Sequence, residues 1–268
     1  MYKLLLPITI FAAIALATIG FRHPDFPASQ SAGVRTSTSG FRTSPPSAGP
    51  GFALIELFTS EGCSSCPAAD ATLARVAREY PENVYVLGFH VDYWDRLGWR
   101  DIYSSADYTN RQRGYAQQFN LNSIYTPEVV VNGQVEFVGS DESRLRSAIK
   151  DGLAASPASQ LSLTAKCEDG KTIKVSYLAT DAARTSLQLA LVQSEATSQV
   201  LRGENQGRKL QHVNVVRAFQ SIQLKSGTTG IADLKLPEGL QAKNCKIIGY
   251  LQVGGDGKIL RAAQTAVQ

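Results

Sequence analysis

The chain alternates apolar runs with polar breaks in a pattern that predicts its elements. Ala53 to Phe58 (ALIELF) is short and mostly apolar, as a strand covered on both faces requires. Thr59-Ser60-Glu61-Gly62 breaks it, and from Pro67 onward Ala69, Leu73, Val76, Ala77 and Tyr80 recur at helical spacing until Pro81 stops the helix. Pro67 is tolerated in a first helical turn, where its missing N–H has no partner to lose. Val84 to Val91 (VYVLGFHV) is a second apolar strand. A strand–helix–strand unit of this length predicts a parallel pair with a crossover helix. A further helix is expected over Ser104 to Phe119, with Tyr108, Tyr115 and Phe119 on one face. Glu128 to Val131, the turn signal Asn132-Gly133, and Val135 to Val138 read as a hairpin. Ser140 is placed to cap a last helix, with Asp141 and Glu142 in its first turn and Leu145, Ala148 and Ile149 on its apolar face.

Beyond a linker at Ala154 to Ser159 the period changes to two. Leu161, Leu163 and Ala165 alternate with polar neighbours, as do Ile173, Val175 and Tyr177, and Leu187, Leu189 and Leu191. Val213–Gln220, Ile231–Leu236, Lys246–Val253 and Ile259–Thr265 continue the series. About seven short strands between Gly, Pro and Asp turns predict a β-sandwich over residues 159–268. The expected fold class is therefore an α/β domain over 51–154 followed by a smaller all-β sandwich-like domain.

The N-terminus is different again. Lys3 precedes an apolar stretch from Leu4 to Ile19, which makes residues 1–21 a secretory signal with a cleavage pattern at Ala15-Leu16-Ala17, or an uncleaved membrane anchor. Seventeen of the 29 residues from Arg22 to Pro50 are Pro, Ser, Thr or Gly. Such a segment buries too little apolar surface to offset its ordering entropy, so 22–50 is expected to be a disordered linker. Both alternatives export the remainder, to the periplasm or beyond. The net charge of +4 on 268 residues, with 43% hydrophobic and 19% charged residues, fits a chain with a core. It excludes a dedicated nucleic-acid binder, because no Lys/Arg cluster accompanies it.

Candidate chemistry centres on Cys63-Ser64-Ser65-Cys66-Pro67, between the first strand and its helix. A thiolate, not a thiol, attacks a disulfide, and the unpaired N–H groups of a helix N-terminus stabilise negative charge. Cys63 is thus the expected nucleophile, and Cys66, one turn on, the resolving thiol. Glu61 is close and acidic and could oppose thiolate formation. A CxxC can also be an inert bridge or half a metal site; His90 is the one other nearby donor of note, and it could instead be a hydrogen-bonded structural imidazole beside Asp92. Tyr93, Trp94 and Trp99 read as loop packing that could also wall a substrate groove. Cys167 and Cys245 flank strands of the second domain, and in an exported protein a disulfide between them is the simplest use. Arg202 to Arg217 is either a solvated hairpin loop or a loop that reaches the CxxC face, where His212 could supply a proton to a leaving thiolate.

Three placements together resemble the thioredoxin fold: the CxxC between first strand and helix, Thr126-Pro127 before the third strand, and the final hairpin and helix. The run LFTSEGCSSCPAAD…GFHVDYWD…YTPEVVVNG is also similar to an uncharacterised family of bacterial secreted proteins known as a domain of unknown function, and the resemblance extends through Gly203–Gly207 and His212–Arg217. The thioredoxin resemblance implies a cis-proline opposite the CxxC, a role that falls on Pro127, with the Thr126 backbone as the peptide contact. Ser64-Ser65 departs from the Pro or aromatic residues of several familiar relatives. The implied activity is thiol–disulfide exchange on a protein or small thiol, with a redox partner and no cofactor. The alternatives are a copper or other metal chaperone using Cys63, Cys66 and perhaps His90, or a redox-inactive binding module.

Overall fold

The computed structural model describes residues 49–157, 159–180, 182, 184–225 and 228–268. The signal or anchor expected over 1–21 lies outside the described residues, as does the linker expected over 22–50 apart from Gly49 and Pro50. The first elements follow the apolar pattern: β1 (Ala53–Thr59), α1 (Cys66–Glu79), β2 (Val84–His90), α2 (Ala106–Gln118), β3 (Glu128–Val131), β4 (Val135–Val138) and α3 (Glu142–Ala154). The remaining strands are β5 (Gln160–Cys167), β6 (Thr172–Thr180), β7 (Thr185–Gln199), β8 (Lys209–Gln223), β9 (Thr228–Lys235), β10 (Cys245–Val253) and β11 (Ile259–Ala266).

Every residue of β1 and β2 is buried, which is why both read as mostly apolar runs, with Glu56 the one charged residue inside β1. The two pair in parallel, and β3 pairs with β1 antiparallel. Asn132 and Gly133, with φ of 50° and 66°, turn β3 into β4. Asn132 also reaches back: its Oδ1 accepts the Leu54 N–H at 2.7 Å. Ser105 caps α2, accepting the Asp107 N–H. The cap of α3 is Asp141, whose Oδ1 accepts the Arg144 N–H at 3.0 Å, and not the expected Ser140. The two residue types cap about equally well, and the carboxylate adds a favourable negative charge at the positive end of the helix.

The protein is mixed α/β, built on one eight-stranded sheet in the order β11-β10-β7-β8-β2-β1-β3-β4, with a three-stranded sheet, β5-β6-β9, beside it. One face of the large sheet is sealed by α1 and α3 through Ile55, Leu57, Leu73, Val76, Leu145 and Ile149. On the opposite face Phe58, Phe89, Val216 and Tyr250 pack with Tyr108 and Tyr115 of α2 in a second core. Leu161, Ile173 and Val175 of the small sheet close a third core against Leu187, Leu189 and Ile247. The expected strands of the second segment are thus present, and they form a sandwich, but four of them extend the sheet of the first segment. The join is a parallel bridge between Gly88 of β2 and Val215 of β8. The contacts do not confirm a two-domain arrangement.

A buried ionic cluster reinforces this join. Glu56 on β1 is fully buried; its carboxylate accepts from Arg111 Nε at 2.9 Å, from the Tyr250 hydroxyl at 2.6 Å, and from the Tyr115 hydroxyl. The Arg111 guanidinium also lies over the rings of Phe219 and Tyr115, 5.0 and 5.1 Å from their centroids. Residues from β1, α2, β8 and β10 meet there.

Candidate functional site

The CxxC lies in the turn that carries β1 into α1. Cys63 N–H donates to Ser60 O, and Cys66 N–H to Cys63 O, both at 3.2 Å. Helix α1 begins at Cys66 behind Ser65, so Cys63 stands three residues ahead of the first helical residue and Pro67 takes the tolerated first turn. Cys63 and Cys66 are joined by a disulfide. Ser64 and Ser65 are exposed, whereas Cys63 is 1% and Cys66 0% accessible.

The Thr126–Pro127 peptide bond is cis. A Cβ placed on Gly139 would lie 3.0 Å from the Ala69 side chain and 3.2 Å from the Pro127 side chain, so Pro127 stands close to α1. Trp94 links the two halves of the site: its Nε1 donates to Thr126 Oγ1 at 2.8 Å, and a Cβ on Gly62 would sit 3.2 Å from its own Cβ. Trp94 is therefore a wall of the CxxC region as well as packing.

Of the two readings of Arg202–Arg217, the structure has the loop at the CxxC. Asn205 is fully buried, and its Nδ2 donates to Glu61 O at 2.9 Å and Cys63 O at 2.8 Å. Ser64 N–H donates to the Glu204 carboxylate at 3.0 Å. Neither residue is a site candidate in the sequence, because a polar loop between strands reads as solvated; the run Gly203–Gly207 enters there only through the family resemblance.

A buried set of charged groups lies alongside. Glu61 accepts from Trp99 Nε1 at 2.7 Å. His212, on β8, sits between the Glu61 and Asp70 carboxylates at 3.5 and 3.8 Å. Burial alone would push this imidazole down; the two carboxylates outweigh it and hold the ring at about 9. Asp70 also accepts from Thr59 Oγ1 at 3.2 Å. The rings of His212 and His90 meet edge to face, 4.8 Å apart. His90 Nδ1 is 2.6 Å from Asp101 Oδ2, which also accepts the Glu61 N–H. Burial would raise the Asp101 carboxyl, but the His90 ring and the amides of Glu61 and Tyr103 hold it below the usual range.

His90 is thus a structural imidazole whose partner is Asp101, not Asp92, which instead accepts from Thr109 Oγ1. The metal set Cys63, Cys66 and His90 is not assembled, since the two sulfurs are bonded to each other, and among the described residues no group of His, Cys, Asp and Glu side chains is arranged to hold a metal. Cys167 and Cys245 are likewise not bonded as expected; both are free thiols. The Cys245 Sγ contacts Gln241 O at 3.4 Å, and burial pushes its thiol up to about 11. The two cysteines border the same core, and no disulfide closes between them.

A disulfide-bonded CxxC at the head of the first crossover helix, beside a cis-proline, fits a thiol-oxidoreductase-like fold. Comparison with known proteins agrees. Residues 54–252 match the family described as "Protein of unknown function (DUF1223)", and the chain belongs to that family. It is 32% identical over 100 residues to a thioredoxin from Methanocaldococcus jannaschii, a match that takes in 37% of this chain and 94% of the thioredoxin. Its fold is similar to the crystal structure of protein AGR_C_4864 from Agrobacterium tumefaciens, with a TM-score of 0.60 and 25% identity over 79% of this chain and 92% of that one.

Proposed function

We propose that the protein is an exported thiol–disulfide oxidoreductase in which residues 51–154 form the thioredoxin-like redox part and the β-rich segment completes its site. The observation that carries this reading is the Cys63–Cys66 disulfide with the cis Thr126–Pro127 bond close by. Export is supported by the basic and apolar start of the chain. In the oxidised form, a thiolate of the partner attacks Cys63 Sγ; the Cys63–Cys66 bond breaks and Cys66 leaves as a thiolate that takes up a proton. A second partner thiol then attacks the mixed disulfide as its thiolate, and Cys63 departs. The partner gains a disulfide and this protein becomes a dithiol, so two electrons move and sulfur–sulfur bonds are conserved. The reduced protein runs the same steps backward. Thr126 offers backbone to an extended peptide, and Trp94 holds Thr126 in place.

The test is turnover in insulin reduction and in oxidation of a dithiol peptide, with wild type, Cys63→Ser and Cys66→Ser. Wild type turns over, Cys63→Ser does not, and Cys66→Ser accumulates a mixed disulfide at Cys63 visible by mass spectrometry. Equal rates for wild type and Cys63→Ser would remove the reading.

A further inference from the structure

The loop between β7 and β8 does more than cover the disulfide. It is internally fixed: Gly207 N–H donates to Val200 O, Gln206 N–H to Gly203 O, and Arg208 N–H to Asn205 O. Gly203 and Gly207, at φ of 78° and 82°, supply the left-handed positions that such a tight path needs. Asn205 anchors the loop to the carbonyls on either side of Gly62, and its own Oδ1 accepts from Arg208. Glu204 is thereby delivered to Ser64, whose N–H is the first backbone donor after Cys63.

That donor has two possible uses. A thiolate at Cys63 draws its stabilisation from free amides of the turn that leads into α1, and the Ser64 N–H, two residues ahead of that helix, belongs to this turn. An amide bound to a carboxylate is withdrawn from that supply, and the carboxylate's own charge opposes a second anion nearby. We propose that Glu204 restrains the reactivity of Cys63 by holding the Ser64 N–H, with Asn205 as the positioning residue that places it there. A partner that lifts the 203–207 loop releases the amide and opens the sulfur in the same movement. This deepens the thiol-exchange reading and rests on it for its biological use, but the chemistry at Cys63 can be measured separately. The other charged groups around the turn are Glu61, Asp70 of α1, His90 of β2, Asp101, His212 of β8 and Arg208 of the loop. All are retained in the variants below.

The experiment measures alkylation of Cys63 by iodoacetamide against pH in the full chain carrying Cys66→Ser, read on the Cys63 peptide by mass spectrometry so that Cys167 and Cys245 do not interfere. Glu204→Ala removes both charge and acceptor; Glu204→Gln removes the charge and keeps an acceptor. The expected result is a profile moved to lower pH, with alkylation at pH 6 faster by about tenfold for Glu204→Ala. Glu204→Gln falls between Ala and the parent, and Asn205→Ala resembles Glu204→Ala. Because Glu204 is exposed, its variants carry little risk to folding. Superimposable pH profiles for the parent and both Glu204 variants overturn the proposal, as does slower alkylation in Glu204→Ala. Insulin turnover is measured alongside with Cys66 intact. A shifted profile without turnover in any variant sinks the oxidoreductase reading and leaves the restraint standing; turnover with an unshifted profile does the reverse.

Discussion

Replacing His212 by Gln removes a buried charge whose environment is fully specified. The imidazole has carboxylates of Glu61 and Asp70 at 3.5 and 3.8 Å and titrates at about 9 against a reference of 6.5. A group whose value is raised on folding contributes its stability in full below the unfolded value, and loses it as pH rises through the folded one. The window therefore runs from pH 6.5 to 9. A gap of roughly 2.5 pH units, at about 1.4 kcal/mol each, corresponds to about 3.5 kcal/mol in full, of which about 3 kcal/mol is lost between about pH 6 and 9.5. The assay is urea unfolding of the oxidised protein at half-unit steps from pH 6 to 9.5, comparing wild type with His212→Gln. The difference between the two is largest at pH 6 and shrinks by about 3 kcal/mol by pH 9.5. The Cys245 thiol, raised to about 11, also costs stability in alkali, but it is common to both proteins and cancels. A difference that stays constant with pH would refute the idea that a protonated His212 holds the two carboxylates.

Other outcomes follow from single contacts. Arg111→Met leaves the buried Glu56 carboxylate without its cation and is expected to cost about 3–5 kcal/mol, read from the denaturant midpoint. Asn132→Ala loses the bond to Leu54 N–H and places a Cβ-only side chain at φ 50°, for about 1–3 kcal/mol by the same measurement. In the folded protein at neutral pH, maleimide labels the half-buried Cys167 well ahead of Cys245, whose thiol is raised to about 11, and non-reducing mass mapping finds no peptide joining them. Trp94→Phe removes the donor to Thr126 and raises the KM for a peptide substrate several-fold with a smaller change in kcat, if Thr126 is the peptide contact.

The strands and helices up to residue 154 were legible because each is a local statement: buried, mostly apolar strands, an Asn-Gly turn, a proline at each end of α1. The seven later strands were legible for the same reason. What joined them was not. Gly88 and Val215 are far apart in sequence, and no periodicity says which edge a strand will find. Glu56 reads as one polar residue in an apolar strand until Arg111, Tyr115 and Tyr250 converge on it. At the site, Cys63 and Cys66 are legible because their motif is short and local, whereas Pro127 is named only through what the thioredoxin resemblance implies. Asn205 and Glu204 are not legible, since their value lies in what they touch across more than 100 intervening residues. The Cys167–Cys245 bridge fails for a related reason: sequence places the two thiols beside strands at opposite ends of the β-rich segment and does not set the distance between them.

Because β8 runs alongside β2, the segment that carries the CxxC cannot be excised cleanly. A fragment ending at residue 157 would bare one flank of β2 to solvent and strip the Tyr250 hydroxyl from Glu56. It would also discard Asn205, so the loop around Cys63 would lose its brace. An orphan strand flank invites pairing with its own kind, so such a fragment should come out of cells as aggregate while the intact chain stays monodisperse. Anyone trimming this protein to its CxxC segment would have to keep its tail.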